Sequence, residues 1–266
     1  MSVEREDNYR MKYLLYSLLI LTFLLMSFEK SFPEINGLWV AQKVDERDIG
    51  EDASLQMNMI LIDSKGRERK RNLYIIRKNL NGNDKLLLEF TFPNDIKGTS
   101  LLIWEHKGED NERFLYLPAL GRIRRIATRE KDENFAGTDF SYEDISGRKL
   151  EEYTYELIKD EIIFENQKCY LLASYPKEIN PKFPKILSWI KKDSFVVIKG
   201  EYYNKKQEVE KTFKVSKLEK IDGIWTSLEF QMENHKMKHK TFSIVTEVKY
   251  NQGIPEQRFE KNELER

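Results

Sequence analysis

Few residues of the chain have the types and spacing that metal binding requires. It contains three histidines, His106, His235 and His239. If this segment were helical, His235 and His239 would lie four residues apart on one face, where they could bind one metal ion. However, the segment around them is typical of a turn followed by a strand, and the glutamate of a zinc-protease motif is absent. We therefore expect solvated histidines and no metal site.

A nucleophile for catalysis is equally hard to find. Cys169 is the single cysteine, which excludes a disulfide framework. It lies in a predicted strand with no histidine close in sequence to lower the pKa of its thiol, so we expect a small buried side chain. No G-x-S-x-G, Walker A or G-x-G-x-x-G motif occurs. The sequence therefore predicts no catalytic residue, no cofactor and no enzymatic activity. An envelope hydrolase using Cys169 or a serine near His106 is a weaker alternative.

Two basic clusters, at residues 65–71 and 122–129, could contact anions. We interpret both first as solvated strand faces paired with nearby acids, and second as contacts for anionic lipid head groups or an acidic partner. In the second cluster, strand alternation places at least one arginine beside an apolar residue, where it needs a carboxylate or a phosphate. We expect these arginines to organise charge at the mouth of a binding site or to brace the segment that follows. The arginines are Arg122, Arg124 and Arg125, and their expected internal partners are Asp139, Glu143 and Asp144.

The composition restricts the class of protein. The 266 residues include 45 Lys and Arg and 45 Asp and Glu, so the formal net charge is zero. A dedicated nucleic-acid binder normally carries a basic excess, so we expect no nucleic-acid partner. Aromatic residues make up 12% of the chain, which argues against intrinsic disorder. We expect a folded, monomeric protein.

The first thirty residues are expected to be a targeting segment. Residues 13–28 carry no charge and would span about 24 Å as a helix. That length is shorter than the ~30 Å hydrocarbon core and is typical of a signal peptide. No small-x-small cleavage site follows, so an uncleaved inner-membrane anchor is the alternative. Separately, we expect Met11 to be the true start. We assign residues 1–30 to this segment and residues 31–266 to one exported domain in the periplasm or cell envelope.

The rest of the chain mainly shows the period-two alternation of β-strands. After a predicted helix over 31–47, the alternation begins at Leu55, and residues 81–84 (NGND) are a strong hairpin signal. No alternation of strands with helices occurs, so we predict an antiparallel sheet with one apolar face. Short helices predicted at 140–146 and 256–264 would cover that face and leave an apolar cavity beneath them. Further strands are predicted over 85–92, 99–106, 112–117, 122–127, 153–164, 167–175, 184–191, 194–203, 207–218, 223–232 and 237–249.

A long signature resembles a known bacterial family. Residues 98–104 (GTSLLIW), 114–126 (FLYLPALGRIRRI) and 137–144 (GTDFSYED) resemble the outer-membrane lipoprotein-sorting proteins, the LolA-like periplasmic group. Weaker similarity extends over most of residues 33–266. The resemblance implies a mainly β (α+β) fold, namely a curved, open antiparallel half-barrel with a few short helices covering its concave face.

The same resemblance implies a function. Members of the LolA-like family carry lipids or lipoproteins across the periplasm, often alongside transporters of the resistance-nodulation-division (RND) type. For this chain it implies a periplasmic carrier that binds acyl chains in an apolar cavity and moves them toward the outer membrane. The alternative is a non-enzymatic accessory subunit docked on an inner-membrane RND-type transporter. Water-exposed acyl chains cost about 0.8 kcal/mol per CH₂, so large apolar side chains should line the cavity. The candidates are Trp39, Met57, Met59, Phe90, Phe92, Trp104, Tyr116, Trp189, Trp225 and Phe242.

Overall fold

The computed structural model describes residues 34–265, and within them thirteen strands form a single antiparallel sheet. The strands are β1 Asp52–Ile62, β2 Glu68–Lys78, β3 Lys85–Phe92, β4 Ser100–Trp104, β5 Glu112–Leu117, β6 Arg122–Ile126, β7 Tyr153–Phe164, β8 Gln167–Pro176, β9 Lys185–Lys191, β10 Val197–Tyr203, β11 Val209–Ile221, β12 Ile224–Asn234 and β13 His239–Tyr250. The order runs from β6 down to β1, and then from β13 down to β7. The sheet is open, because β6 and β7 are its two edges. The predicted strands are confirmed, with small shifts at their ends.

Helix α1 spans Gly37–Asp45 and is shorter than the predicted helix over 31–47. The Asn36 side chain accepts a hydrogen bond from the backbone N–H of Trp39 at 2.9 Å and so fixes the start of the helix. Gly37 is required for packing, because a Cβ there would lie 2.7 Å from the backbone carbonyl of Tyr155 in β7. The prediction is therefore wrong for residues 34–36, which precede the first helical residue, and residues 31–33 lie outside the described part of the chain.

One long connection, residues 127–152, joins the two edge strands β6 and β7 by crossing the concave face of the sheet. We call it the crossing segment. The Phe135 ring stacks on Phe90 of β3 with centroids 5.4 Å apart, and Phe140 packs edge-on against Phe230 of β12. On this one face, the segment therefore contacts strands of both halves of the sheet. It contains 3-10 helices Thr128–Glu130, Phe135–Gly137 and Leu150–Glu152 and the short helix α2, Tyr142–Ser146.

The opposite face of β2 to β5 is covered by the end of the described chain. Two 3-10 helices, Glu256–Phe259 and Lys261–Glu265, replace the single helix predicted at 256–264. Phe259 is fully buried with Leu102 and Phe114 of the sheet. Both faces of this half of the sheet are therefore packed.

No helix among residues 34–265 is long and apolar enough to cross a bilayer. The predicted signal peptide or anchor, residues 1–30, lies outside the described residues, and its assignment stays a prediction.

Candidate functional site

A cavity of about 840 Å³ lies between α1, the crossing segment and the concave face of strands β8 to β12. Its floor follows one row of directly paired residues across five strands. Ser188 and Gly200 stand next to each other inside this row. Because serine is small and glycine has no side chain, they leave the space that a larger residue would fill. The row consists of Leu172, Ser188, Gly200, Phe213 and Met232.

The walls of the cavity combine an apolar part next to the floor with charged and polar residues elsewhere, since 14 of the 39 lining residues are Asp, Glu, Lys or Arg. Side chains from α1, from the end of the crossing segment and from neighbouring strands enclose the floor. The apolar part is typical of sites for apolar or amphipathic small molecules. The apolar wall residues are Ala41, Val44, Leu150, Tyr153, Tyr155, Ile186, Ile190 and Val197.

The mouth of the cavity is charged. Exposed residues of the lining lie at the end of α1 (45–47), in the β2–β3 turn (81–82), at Lys107 and in the crossing segment (Gly147 and Glu151). Burial raises the pKa of Glu105 at the mouth to about 7, and the nearby charge of Asp84 adds to the effect. Lys149 and Arg113 oppose this shift, and acids and bases therefore lie side by side where a ligand would enter.

Helix α2 closes one side of the cavity and is held to the sheet by its first turn. Ser141 and Asp144 form a capping box, because each side chain accepts from the backbone N–H of the other. Glu143 accepts from the Arg113 guanidinium of β5 at 2.8 Å, and the side chains of this pair are 9% and 3% exposed. Burial raises the pKa of Glu143, against the opposing effects of Lys131 and Arg113.

Asp144 makes the matching contact on the other side of α2. Its carboxylate accepts from Lys211 Nζ of β11 and from the Tyr202 hydroxyl of β10, both at 2.8 Å. Arg148 donates to the same hydroxyl at 2.6 Å. Burial alone would raise the pKa of Asp144, but Lys211 and Arg148 hold it at about 2. Glu143 and Asp144 thus fasten α2 to strands on opposite halves of the sheet.

Arg71 supports the crossing segment from below. It donates to the backbone carbonyl of Ala136, and its guanidinium lies over the Phe90 ring, 5.3 Å from the centroid. Burial lowers its pKa. The first interpretation of residues 65–71 as a solvated face is therefore wrong for Arg71, which is 8% exposed.

Comparison with known proteins places this architecture in a family. A family model described as an uncharacterized protein matches residues 82–266. The outer membrane lipoprotein-sorting protein domain from Vibrio parahaemolyticus is 31% identical, with a TM-score of 0.81, over 86% of this chain and 98% of that one. The chain belongs to the outer membrane lipoprotein-sorting protein family.

Two further structures support the assignment of the fold. A DUF1329 family protein from Desulfovibrio piger is 28% identical, with a TM-score of 0.80, over 86% of this chain and 97% of that one. A LolA superfamily protein from Nitrosomonas europaea is 16% identical, with a TM-score of 0.67, over 86% and 99% of the two chains. The latter shows that the open half-barrel is the LolA fold, as predicted. A search of curated proteins gave no match.

In this member of the lipoprotein-sorting family, the ten large residues predicted to line the cavity lie elsewhere. Met57, Met59 and Phe90 form the core beneath the crossing segment, and Trp104 and Tyr116 pack on the opposite face under Phe259 and Leu264. None of the ten lines the 840 Å³ cavity, so their role in ligand binding stays a prediction. The other five occupy separate places: Trp39 packs on Tyr170 and Phe195, Trp189 and Trp225 pack around Cys169, Phe92 is exposed and Phe242 lies under Lys240.

The predicted partners of the second basic cluster are wrong. Arg124 pairs with Glu130 at 2.6 Å and Arg125 with Glu112 at 3.3 Å, and Arg122 is exposed. The physical reason is that β6 is an edge strand with these side chains turned to solvent. The predicted acids instead bind other residues: Asp139 contacts Thr241 and His239, Glu143 contacts Arg113, and Asp144 contacts Lys211 and Tyr202.

The remaining candidates for chemistry have structural roles. His239 Nδ1 lies 2.6 Å from Asp139 Oδ2, and His235 Nε2 lies 2.8 Å from the Thr212 hydroxyl. Residues 34–265 contain no cluster of His, Cys, Asp and Glu that could hold a metal ion. Cys169 is buried, and burial raises the pKa of its thiol. Sequence reasoning missed the small residues of the floor, Ser188 and Gly200. Their signal was that a small residue stands opposite a large apolar one on the next strand, Leu172 for Ser188 and Phe213 for Gly200.

Proposed function

We propose that the protein is a non-enzymatic carrier of the periplasm or cell envelope. It holds the acyl chains of a lipid or lipoprotein in the 840 Å³ cavity and moves them toward the outer membrane. The observation that carries the proposal is the cavity itself, whose floor and adjoining walls are apolar, whose other residues are largely charged, and which the crossing segment encloses. Similarity to the lipoprotein-sorting domain from Vibrio parahaemolyticus supports it.

The physical argument rests on the transfer of apolar surface. Each CH₂ group removed from water is stabilised by about 0.8 kcal/mol, so one long acyl chain supplies enough energy for tight binding. The cavity volume lies within the ~300–1,000 Å³ typical of ligand sites. The paired row from Leu172 to Met232 offers apolar side chains at its two ends, and Ser188 and Gly200 leave space between them.

The test is to identify what the protein holds. The full chain is purified from cell envelopes, its lipids are extracted, and mass spectrometry compares it with two variants. Ser188→Phe fills the floor and should remove the bound lipid. Glu201→Phe is the matched control, because Glu201 follows Gly200 in β10 and points to the opposite face.

Two results would contradict the proposal. One is a wild-type protein that is consistently empty and takes up no lipid from vesicles. The other is a Ser188→Phe variant that folds and keeps the wild-type amount of lipid, since the lipid would then be bound elsewhere.

The second candidate is an accessory subunit docked on an inner-membrane RND-type transporter. It is favoured by the uncharged run at residues 13–28 without a small-x-small cleavage site. The intact mass of the envelope-purified protein separates the two: retention of residues 1–30 with no bound lipid supports the subunit, and loss of these residues with bound lipid supports the carrier.

A further inference from the structure

The connections between strands lie along two opposite rims of the sheet, because every pair of neighbours is antiparallel. Successive turns along the chain therefore fall alternately on one rim and then on the other. The first rim consists of the connections 63–67, 93–99, 118–121, 177–184, 204–208 and 235–238. The second rim consists of the connections 79–84, 105–111, 165–166, 192–196 and 222–223.

The two rims carry opposite charge. Nine Lys and Arg stand against four Asp and Glu in the first rim, a net charge of +5. Two Lys stand against seven Asp and Glu in the second rim, a net charge of −5. We call them the basic rim and the acidic rim. The nine bases, all exposed, are Lys65, Arg67, Lys97, Lys177, Lys182, Lys205, Lys206, Lys236 and Lys238.

Exposed apolar side chains accompany the charge of the basic rim. Ile179 is 95% exposed, Met237 58% and Leu120 55%, each at the tip of a different connection. Phe92, the last residue of β3, is 48% exposed at the same rim. Within residues 34–265, no connection of the acidic rim holds a large exposed apolar side chain. The basic rim thus combines cations with separate apolar tips.

We propose that the basic rim docks on the surface of a bilayer that contains anionic phospholipids. Lysines near such a surface are attracted to its negative potential, and apolar side chains between them enter the head-group region. Tips on separate connections suit a fluid lipid surface, whereas a protein partner would usually meet one contiguous patch. The acidic rim is repelled by the same potential, so the charge separation also sets the orientation.

This inference goes beyond the proposed carrier function and does not depend on it. It does have a consequence for the cavity, whose mouth is built from residues 79–84 and 105–107 of the acidic rim together with 45–47. A protein docked by its basic rim turns most of that mouth away from the bilayer, but the Glu151 edge of the mouth adjoins the basic rim, because the carbonyl of the next residue, Glu152, accepts from the backbone N–H of Lys177.

The test reports which rim faces the lipid. In the full chain with Cys169→Ala, an environment-sensitive fluorophore is attached at Ser64→Cys on the basic rim or at Asn83→Cys on the acidic rim. Both positions are exposed and uncharged. Emission is recorded at low and at high salt with two kinds of vesicle. One consists of phosphatidylcholine alone, and the other of equal parts of phosphatidylcholine and phosphatidylglycerol.

We expect a blue shift at Ser64→Cys only with the anionic vesicles and only at low salt, because salt at ~1 M shortens the screening length to about 3 Å. The label at Asn83→Cys should not respond. Adding Lys236→Ala and Lys238→Ala should weaken the vesicle response at Ser64→Cys by about tenfold or more. The control removes the two lysines of the acidic rim, Lys107→Ala and Lys192→Ala, and should not weaken it.

Three results would overturn the proposal. They are no shift at Ser64→Cys, an equal shift at Asn83→Cys, and a shift that is as large on phosphatidylcholine alone. Docking of this rim on a protein would give the first of these results. Lipid content measured on the same samples is a separate readout, so the carrier function can fail while the docking holds, or the reverse.

Discussion

Replacing Asp144 by Asn should loosen the crossing segment from one half of the sheet. The Asp144 carboxylate bonds Lys211 and Tyr202 at 2.8 Å, and the side chains of Asp144 and Lys211 are 6% and 2% exposed. The substitution keeps the shape of the residue and removes its charge. Lys211 would then be a buried cation without its carboxylate, close to the cavity floor.

The magnitude follows from the pKa. The pKa of Asp144 falls from the usual 3.8 to about 2, and each unit corresponds to about 1.36 kcal/mol. The charge of Asp144 therefore contributes about 2–3 kcal/mol to the free energy of unfolding at neutral pH, and a buried Lys211 left unpaired raises the loss to about 3–5 kcal/mol. Because the folded pKa is the lower one, this contribution is complete above pH 3.8 and is lost as the pH falls through about 2.

The assay is urea unfolding of wild type, Asp144→Asn, Lys211→Met and the double variant, between pH 7 and pH 2. We expect Asp144→Asn to lose stability at pH 7 and to lack the part of the acid-induced decline that Asp144 supplies. The double variant should recover part of the loss, because the unpaired Lys211 is gone, whereas Arg148, which also pairs with Asp144, still lacks that carboxylate. A cost below about 1 kcal/mol, the size of an exposed pair, or an unchanged pH dependence would refute the reasoning.

Three further predictions test other parts of the molecule. Because the pKa of Glu105 is raised to about 7, an anionic fatty acid should bind about two- to fivefold more tightly at pH 6 than at pH 8, and Glu105→Gln should abolish this difference in a fluorescence titration. Cys169 is fully buried with a raised thiol pKa, so a thiol reagent should modify it only as fast as the protein unfolds. Trp104→Phe removes the 2.8 Å bond to the Phe259 carbonyl and should cost about 1–2 kcal/mol, with faster amide exchange confined to residues 256–264.

The strands could be predicted from the sequence because their signals are local. Period-two alternation and turn residues depend only on neighbours along the chain. The NGND turn illustrates this, since Asn81 and Gly82 adopt the positive φ values of 57° and 94° that favour these residue types. The family signature at residues 98–144 supplied the curvature and the open form of the sheet, which alternation alone does not specify.

The ion pairs could not be predicted, because they join residues far apart in sequence. Asp144 and Lys211 are separated by 67 positions and Glu143 and Arg113 by 30. Proximity in sequence favoured the arginines of β6 instead, and their position on an edge strand turns them to solvent. A cavity beneath the helices was predicted, but not its position: large residues were expected to line it, whereas the 840 Å³ cavity forms where Ser188 and Gly200 leave space.

The zero net charge of the chain has a different meaning once the sheet is known. From composition alone, 45 bases and 45 acids exclude an overall attraction to anionic partners. In an antiparallel meander, however, alternate turns lie on opposite rims, so basic and acidic turns that alternate along the chain become two separated layers of charge. Such an arrangement orients a molecule without giving it a net pull. Because most of the cavity mouth belongs to the acidic rim, the same layering that aims the basic rim at lipid would turn most of the mouth away from it, except at Glu151, which adjoins the basic rim. The fluorophore positions at Ser64 and Asn83 decide whether that orientation occurs.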